Sequence, residues 1–135
     1  GFHWSSVRTL TDAWDVLQEV DRPEVGLALD MAQLYLAEVR PEELDRLVPA
    51  KIFLLHLNDV ESVNRQMSGD VHRVMPGEGV IPLADYLGHL EGLDYDGACV
   101  LEVFQPALWE KEPVDVARRG RAAMQKVLKP YFNLE

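Results

Sequence analysis

Three short apolar runs divide the chain, and each has the composition of a buried β-strand. They cover residues 25–30 (VGLALD), 51–57 (KIFLLHL) and 98–104 (ACVLEVF). Runs of this length that are rich in Val, Ile, Leu and Phe favour strands covered on both faces. In the first run Gly26 and Ala28 share the parity of Asp30, so small side chains and a carboxylate point to one side. We therefore predict three strands over these ranges.

The segment before the first strand has the apolar spacing of an amphipathic helix. The pattern predicts this helix over residues 5–20, where Thr9 can cap the chain and Asp12 follows it by three residues, a variant of the capping box. Four apolar residues would share its inner face, namely Leu10, Trp14, Leu17 and Val20. Pro23 then ends the helical pattern.

Helical patterns also separate and follow the other strands. Residues 82–91 and 113–129 carry leucines, valines and alanines at helical spacing, which predicts two further helices. Pro41, followed by two glutamates, has the composition of a first helical turn. Residues 31–39 fit either a loop or a helix. The segments 92–97 and 105–112 are predicted as connections.

Residues 58–81 form a long polar segment without periodicity, which we interpret as a loop. A loop of this length in a compact domain is usually functional or disordered. It ends in Arg73-Val-Met-Pro-Gly-Glu-Gly, where the proline and the glycines restrict the path of the backbone. Arg73 is either a surface residue or a substrate ligand, and the restricted turn after it favours the second role.

The predicted elements alternate between helix and strand, and this order is typical of the α/β class. Alternation implies parallel strands joined by right-handed crossovers. We treat residues 1–135 as part of one domain, because their number suits a single unit. Three strands are too few to close an eight-stranded barrel.

Composition and charge narrow the classes of function. The net charge of −10 argues against a nucleic-acid partner, since phosphate binding needs a basic surface. No apolar run approaches membrane-spanning length, and the start of the chain lacks the apolar core of a signal peptide. The single cysteine, Cys99, fits a reducing compartment and is expected to act as a small core residue. We expect a cytoplasmic protein without membrane partners. The chain does not begin with Met, so it is expected to be a piece of a longer protein.

Each predicted strand carries a polar side chain at or near its carboxyl end, namely Asp30, His56 and Glu102. Parallel neighbouring strands would bring these side chains to one point, and their donor atoms suit Mn²⁺, Mg²⁺, Zn²⁺ or Co²⁺. Asp30 could instead cap the next helix, and His56 could be a hydrogen-bonded core residue. Glu102 lies on an apolar strand, where burying an unpaired carboxylate is costly, so we expect it to have a metal or a basic partner. Asp59 is either a polar loop residue or a side chain that orients His56.

Four motifs in this order carry a resemblance to a known family. They are VGLALD, KIFLLHLND, HRVMPGEG and VLEVFQP. Together they resemble the C-terminal part of the xylose isomerase-like TIM barrels, the sugar phosphate isomerase/epimerase superfamily, and within it the 2-keto-myo-inositol isomerases most of all. The resemblance implies an α/β fold, the C-terminal part of a (β/α)8 barrel with about three βα units. It also implies that Asp30, His56 and Glu102 bind one divalent metal with a glutamate from a strand before Gly1, and that Arg73 binds substrate.

The resemblance also implies an activity. The resemblance implies that the protein isomerises or epimerises a keto-sugar or keto-inositol through an enediolate. Glu102 would be a metal ligand and also one acid/base, and the glutamate from the strand before Gly1 would be the other. Gln33 stands where the family commonly has a substrate-binding histidine, and an amide can donate a hydrogen bond but cannot shuttle a proton. The alternatives are a metal-dependent dehydratase of the inosose or 3-dehydroshikimate type and an inactive or partial barrel. The expected partners are a small keto-polyol and further copies of the chain in a homo-oligomer.

Overall fold

The computed structural model describes residues 6–134. Its strands are β1 (Leu27–Asp30), β2 (Ile52–Leu57), β3 (Asp59–Val60), β4 (Arg73–Val74) and β5 (Ala98–Leu101). Its α-helices are α1 (Leu10–Val20), α2 (Met31–Leu36), α3 (Leu83–Gly92), α4 (Pro106–Trp109) and α5 (Pro113–Leu128). The alternation of helices and strands confirms the α/β class.

Helix α1 begins at Leu10, directly after the predicted cap residue Thr9. The Thr9 hydroxyl accepts a hydrogen bond from the Asp12 backbone N–H at 3.1 Å, and the Asp12 carboxylate accepts one from the Thr9 N–H at 3.0 Å. The predicted start at residue 5 lies outside the described residues, and residues 6–9 are not helical because Thr9 has extended backbone angles. Leu10 and Leu17 are buried as expected, whereas Val20 at the helix end is exposed.

A three-stranded parallel sheet in the order β1–β2–β5 forms the centre of the fold. Asp30 pairs with His56, and His56 pairs with Val100, so the strand ends lie at one edge of the sheet. The third predicted strand was too long, since β5 ends at Leu101. The Glu102 N–H still donates to the Leu57 carbonyl at 3.3 Å and continues the ladder by one residue.

The predicted loop over residues 58–81 contains regular structure. Strands β3 and β4 pair in an antiparallel ribbon, with Asp59 opposite Val74 and Val60 opposite Arg73. Two 3₁₀ turns, Arg65–Met67 and Asp70–His72, lie between them. The loop prediction was therefore wrong in part. The ribbon ties Arg73 directly to the chain that leaves β2.

The helical segments differ from the prediction mainly where they are short. Residues 31–39 include helix α2, which resolves the alternative left open by the sequence. Pro41–Arg46 forms a 3₁₀ helix, and the short helix α4 occupies a segment predicted as a connection. No helix among residues 6–134 is long and apolar enough to cross a membrane.

The core lies between the sheet and the helices. Leu55 and Leu57 of β2 are 1% and 0% exposed, and they belong to one apolar cluster with Leu87 and Leu90 of α3. The opposite side of the sheet is open, because Phe53 and Val100 are 45% and 44% exposed. One face of the sheet is thus packed by helices, and the strand ends carry the polar side chains described next.

Candidate metal and substrate site

Asp30 ends β1 and begins α2, and its two carboxylate oxygens have different partners. Oδ1 accepts a hydrogen bond from the Gln33 backbone N–H at 2.8 Å, which caps the helix. Oδ2 accepts from Asn58 Nδ2 at 3.1 Å and from Arg73 NH1 at 2.6 Å. The capping role considered from the sequence is therefore real, and it uses only Oδ1, so that Oδ2 faces the other polar side chains of the site.

His56 brings an imidazole nitrogen to the same point. Its Nδ1 atom lies 3.2 Å from Glu102 Oε2 and 3.8 Å from Asp30 Oδ2. One donor atom from each of the three residues lies within 4.8 Å of the other two. This proximity follows from the register of the parallel strands, whose carboxyl ends meet at one edge. The three side chains are 11–30% exposed, so the point is reachable from solvent.

Arg73 lies between the two carboxylates. Its NH1 atom donates to Asp30 Oδ2 and, at 2.9 Å, to Glu102 Oε2. The guanidinium also lies 5.6 Å from the centre of the Phe104 ring, and its side chain is only 5% exposed. Glu102 therefore has the basic partner that its position required. Arg73 reaches the same carboxylates as the candidate ligands, and its contact with substrate remains a prediction.

The Asp59 side chain is buried and bonds to the backbone of a turn. Within the described part of the chain its carboxylate accepts hydrogen bonds from four backbone N–H groups, those of Val60, Gly77, Gly79 and Ile81, at 2.8–3.1 Å. These bonds hold the Pro-Gly-Glu-Gly turn, and they use the acceptor positions that a contact with His56 would need. Asp59 is 1% exposed and stabilises the turn after Arg73, and a role in orienting His56 stays a prediction.

Two further polar residues contact the site. Asn58 is fully buried, and its Oδ1 accepts from the Ala32 N–H at 2.8 Å while its Nδ2 donates to Asp30. Asp70 Oδ1 accepts a hydrogen bond from Arg73 Nε at 3.0 Å and forms an ion pair with Arg73 NH2 at 2.9 Å. Asp70 was not among the residues predicted from the sequence, although it lies only three positions before Arg73. Gln33 lines a groove of about 350 Å³ beside Asp30, along the edge of β1.

The arrangement fits a divalent cation. Two carboxylate oxygens and one imidazole nitrogen are donors that Mn²⁺, Zn²⁺ and Co²⁺ accept, and Mg²⁺ accepts the oxygens. The Gln33 backbone N–H donates to Asp30 Oδ1 and the Asn58 amide donates to Asp30 Oδ2, and these two bonds fix the orientation of the carboxylate before any ion arrives. The two carboxylates outnumber the one guanidinium group of Arg73, which bonds to the same two oxygen atoms, so the point keeps a net negative charge that favours a cation.

Sequence comparisons find relatives with named activities. The family model described as xylose isomerase-like TIM barrel matches residues 1–127. The inosose isomerase of Halalkalibacterium halodurans is 28% identical over 130 residues, which is 96% of this chain and 46% of that protein. The 3-dehydroshikimate dehydratase of Pseudomonas aeruginosa is 30% identical over 100 residues, which is 73% of this chain and 16% of that protein. The chain thus spans about half the length of the inosose isomerases it matches.

Solved structures share the fold. The crystal structure of the IOLI protein with a zinc atom superimposes with a TM-score of 0.91 at 26% identity, over 95% of this chain and 46% of that one. An L-ribulose 3-epimerase superimposes with a TM-score of 0.71 at 18% identity, over 94% of this chain and 44% of that one. The second likeness concerns the fold alone. In both cases the matched part of the other protein is a little under half of it.

Proposed function

The chain belongs to the xylose isomerase-like TIM barrel family, and on that premise we propose that the whole protein is a divalent-metal-dependent isomerase or epimerase of a keto-sugar or keto-inositol. The single observation that carries the proposal is the meeting of Asp30, His56 and Glu102 donor atoms within 4.8 Å at the carboxyl ends of parallel strands. Barrel enzymes of this kind place their active sites at that end of the strands. Family membership confirms the resemblance inferred from the sequence.

Asp30 Oδ2, His56 Nδ1 and Glu102 Oε2 are the atoms that would hold the metal. When bound, a divalent cation supplies a Lewis acid that polarises a substrate carbonyl. Further ligands would come from the other strands of a complete barrel, since this chain spans about half the length of the inosose isomerases it matches. The zinc in the IOLI structure makes Zn²⁺ one candidate beside Mn²⁺, Mg²⁺ and Co²⁺.

Three residues of this chain, Glu102, Arg73 and Gln33, are the ones that we propose act on the substrate. Glu102 is the candidate acid and base, because it is 30% exposed and can take a proton from the carbon next to the carbonyl and return one. Arg73 NH1 donates both of its hydrogens to Glu102 and Asp30 and so keeps the two carboxylates oriented. The guanidinium group as a whole is the candidate donor to a substrate oxygen. Gln33 can donate a hydrogen bond to a hydroxyl group but cannot transfer a proton.

A dehydratase is the second candidate, and the similarity to a 3-dehydroshikimate dehydratase favours it. The same base could remove the same proton, after which a β-hydroxyl group would leave as water. The product would be a conjugated ketone with a new ultraviolet absorbance. Isomerisation gives no such band, so one spectrum of the reaction mixture distinguishes the two reactions.

Elemental analysis of the purified whole protein tests the metal site. We expect about one divalent ion per protein in the wild type and none in His56→Ala. His89→Ala is the matched control, because His89 pairs with Asp45 on the surface and lies outside the three-residue cluster. Conversion of 2-keto-myo-inositol, followed by nuclear magnetic resonance, then tests the reaction. If all three proteins lack metal after incubation with Mn²⁺, the proposed site is wrong, and a partial or inactive barrel becomes the better description.

A further inference from the structure

The positively charged guanidinium of Arg73 is already paired with carboxylates of the protein itself. Its NH1 atom bonds to Asp30 and Glu102, and its Nε and NH2 atoms both bond to Asp70 Oδ1. Three carboxylates therefore surround one guanidinium. We infer that Asp70 makes this site selective for uncharged keto-polyols over phosphorylated or carboxylated ones, an inference that rests on the proposed function.

Asp70 occupies the edge of the guanidinium that an anion would need. The Nε–NH2 edge of arginine matches the two oxygens of a phosphate or a carboxylate, and this paired geometry gives the strongest anion contacts. Here a single Asp70 oxygen, Oδ1, accepts a hydrogen bond from Nε at 3.0 Å and lies 2.9 Å from NH2, so it stands in front of this edge. Asp70 itself is outside the cluster of candidate metal ligands, and its side chain is 46% exposed. Its position therefore affects the charge of the site without contributing to the three donor atoms.

Segment 58–81, which contains Arg73, offers no second arginine with an unpaired charge. Segment 58–81 contains two arginines, and the second one, Arg65, lies over the Tyr35 ring at 4.0 Å and pairs with Glu38 at 3.0 Å. An incoming phosphate would thus meet three carboxylates around Arg73, those of Asp30, Glu102 and Asp70. The Asp70 carboxylate is outside the candidate metal cluster, and no second unpaired arginine of this segment offsets its charge. Like charges brought together in this way disfavour binding strongly. The hydroxyl groups of a polyol can instead donate hydrogen bonds to the same carboxylates.

Removing the charge of Asp70 should therefore admit anions. The Asp70→Asn variant keeps the size of the side chain but leaves the Nε–NH2 edge of Arg73 with one formal negative charge fewer. We expect it to bind inorganic phosphate at least about tenfold more tightly than the wild type. Asp70→Glu keeps the charge and should bind phosphate as weakly as the wild type. Asp115→Asn is the matched control, because Asp115 pairs with Arg118 at the same spacing of three residues on exposed α5.

The experiment is calorimetric titration of the whole metal-loaded protein with inorganic phosphate, for the wild type and the three variants. Any contact between phosphate and the bound ion is common to all four proteins and cancels in the ratios. Tighter binding in Asp70→Asn alone supports the inference. Equal binding in the wild type and Asp70→Asn overturns it, and so does equal tightening in Asp115→Asn, which would show an effect of net charge only.

A kinetic measurement separates this inference from the proposed function. Inhibition of 2-keto-myo-inositol turnover by 3-dehydroshikimate, a carboxylate, should strengthen about tenfold in Asp70→Asn relative to the wild type. A general loss of structure would weaken substrate and inhibitor together and leave their ratio unchanged, which would contradict the inference. If the wild type lacks both metal and turnover, the proposed function fails, and the phosphate titration of the protein as purified still decides the role of Asp70.

Discussion

Asp59 and Gly79 are in direct contact across the turn that follows β4. The Asp59 carboxylate accepts a hydrogen bond from the Gly79 N–H at 3.0 Å, and it holds the N–H groups of Gly77 and Ile81 in the same way. A Cβ atom on Gly79 would overlap the Asp59 carboxylate and the Val60 carbonyl. The glycine is therefore required by close approach of backbone to a buried carboxylate.

The first prediction concerns this contact. Gly79→Ala should lower the free energy of unfolding by about 2 kcal/mol, because the backbone must move away from Asp59. Gly69→Ala is the control, since a Cβ atom there would meet nothing within 4 Å and the backbone is extended. Urea unfolding measures both. Equal stability of the two variants would contradict the role assigned to the turn.

The second prediction concerns Asn58, whose side-chain amide donates a hydrogen bond to Asp30 Oδ2. Asn58→Ala should weaken binding of Mn²⁺ or Zn²⁺ about 10- to 100-fold, because Asp30 loses the amide that orients its Oδ2 atom. Asn64→Ala serves as the control, since Asn64 caps a 3₁₀ turn at an exposed position. Calorimetric titration with each metal gives the affinities. A metal affinity unchanged in Asn58→Ala would show that Asp30 needs no such support.

The parts of the fold that follow local patterns were predictable from the sequence. The apolar runs gave three strands, and the Thr9–Asp12 box gave the start of α1, because burial and capping leave traces in neighbouring residues. The ribbon of β3 and β4 was not predictable in this way. It pairs Asp59 with Val74 and Val60 with Arg73, residues that lie 15 and 13 positions apart in the chain. No periodicity marks such a contact.

The same distinction applies to the candidate site. The meeting of Asp30, His56 and Glu102 could be inferred from their positions at the ends of parallel strands, since the register follows from the fold. The position of Arg73 between two of them could not, because its side chain bridges residues 43 and 29 positions away. Asp70 was missed for a related reason: its role depends on where the guanidinium of Arg73 lies.

The third prediction concerns the reaction. Glu102→Gln should lower turnover of 2-keto-myo-inositol about 100- to 10,000-fold, because an amide cannot act as acid or base. The fold should be retained, since the side chain is 30% exposed and an amide oxygen can still accept from Arg73. Glu110→Gln, at the exposed end of α4, is the control. Turnover of Glu102→Gln close to that of the wild type would disprove the mechanism, provided that circular dichroism shows the same fold.

The fourth prediction concerns alkaline pH and rests on two partly buried groups near the start of β5. Burial raises the pKa of the Cys99 thiol from 9.0 to about 11 and that of the Tyr95 hydroxyl from 10.0 to about 12. The Tyr95 hydroxyl also donates to the Ala98 carbonyl at 2.7 Å, a bond that needs its proton. Both groups therefore hold their protons more tightly in the folded protein than in the unfolded chain.

The sign of the effect follows from this difference. Above pH 9 the unfolded chain releases the protons first, so rising pH favours unfolding, and the stabilisation that is complete below pH 9 is lost between about pH 9 and 12. Cys99→Ala should make the decline between pH 9 and 11 shallower by up to about one proton per molecule. Tyr95→Phe should do so between pH 10 and 12. Urea unfolding at fixed pH steps measures the slopes, and a wild-type slope retained in both variants would show that neither group controls the alkaline limb.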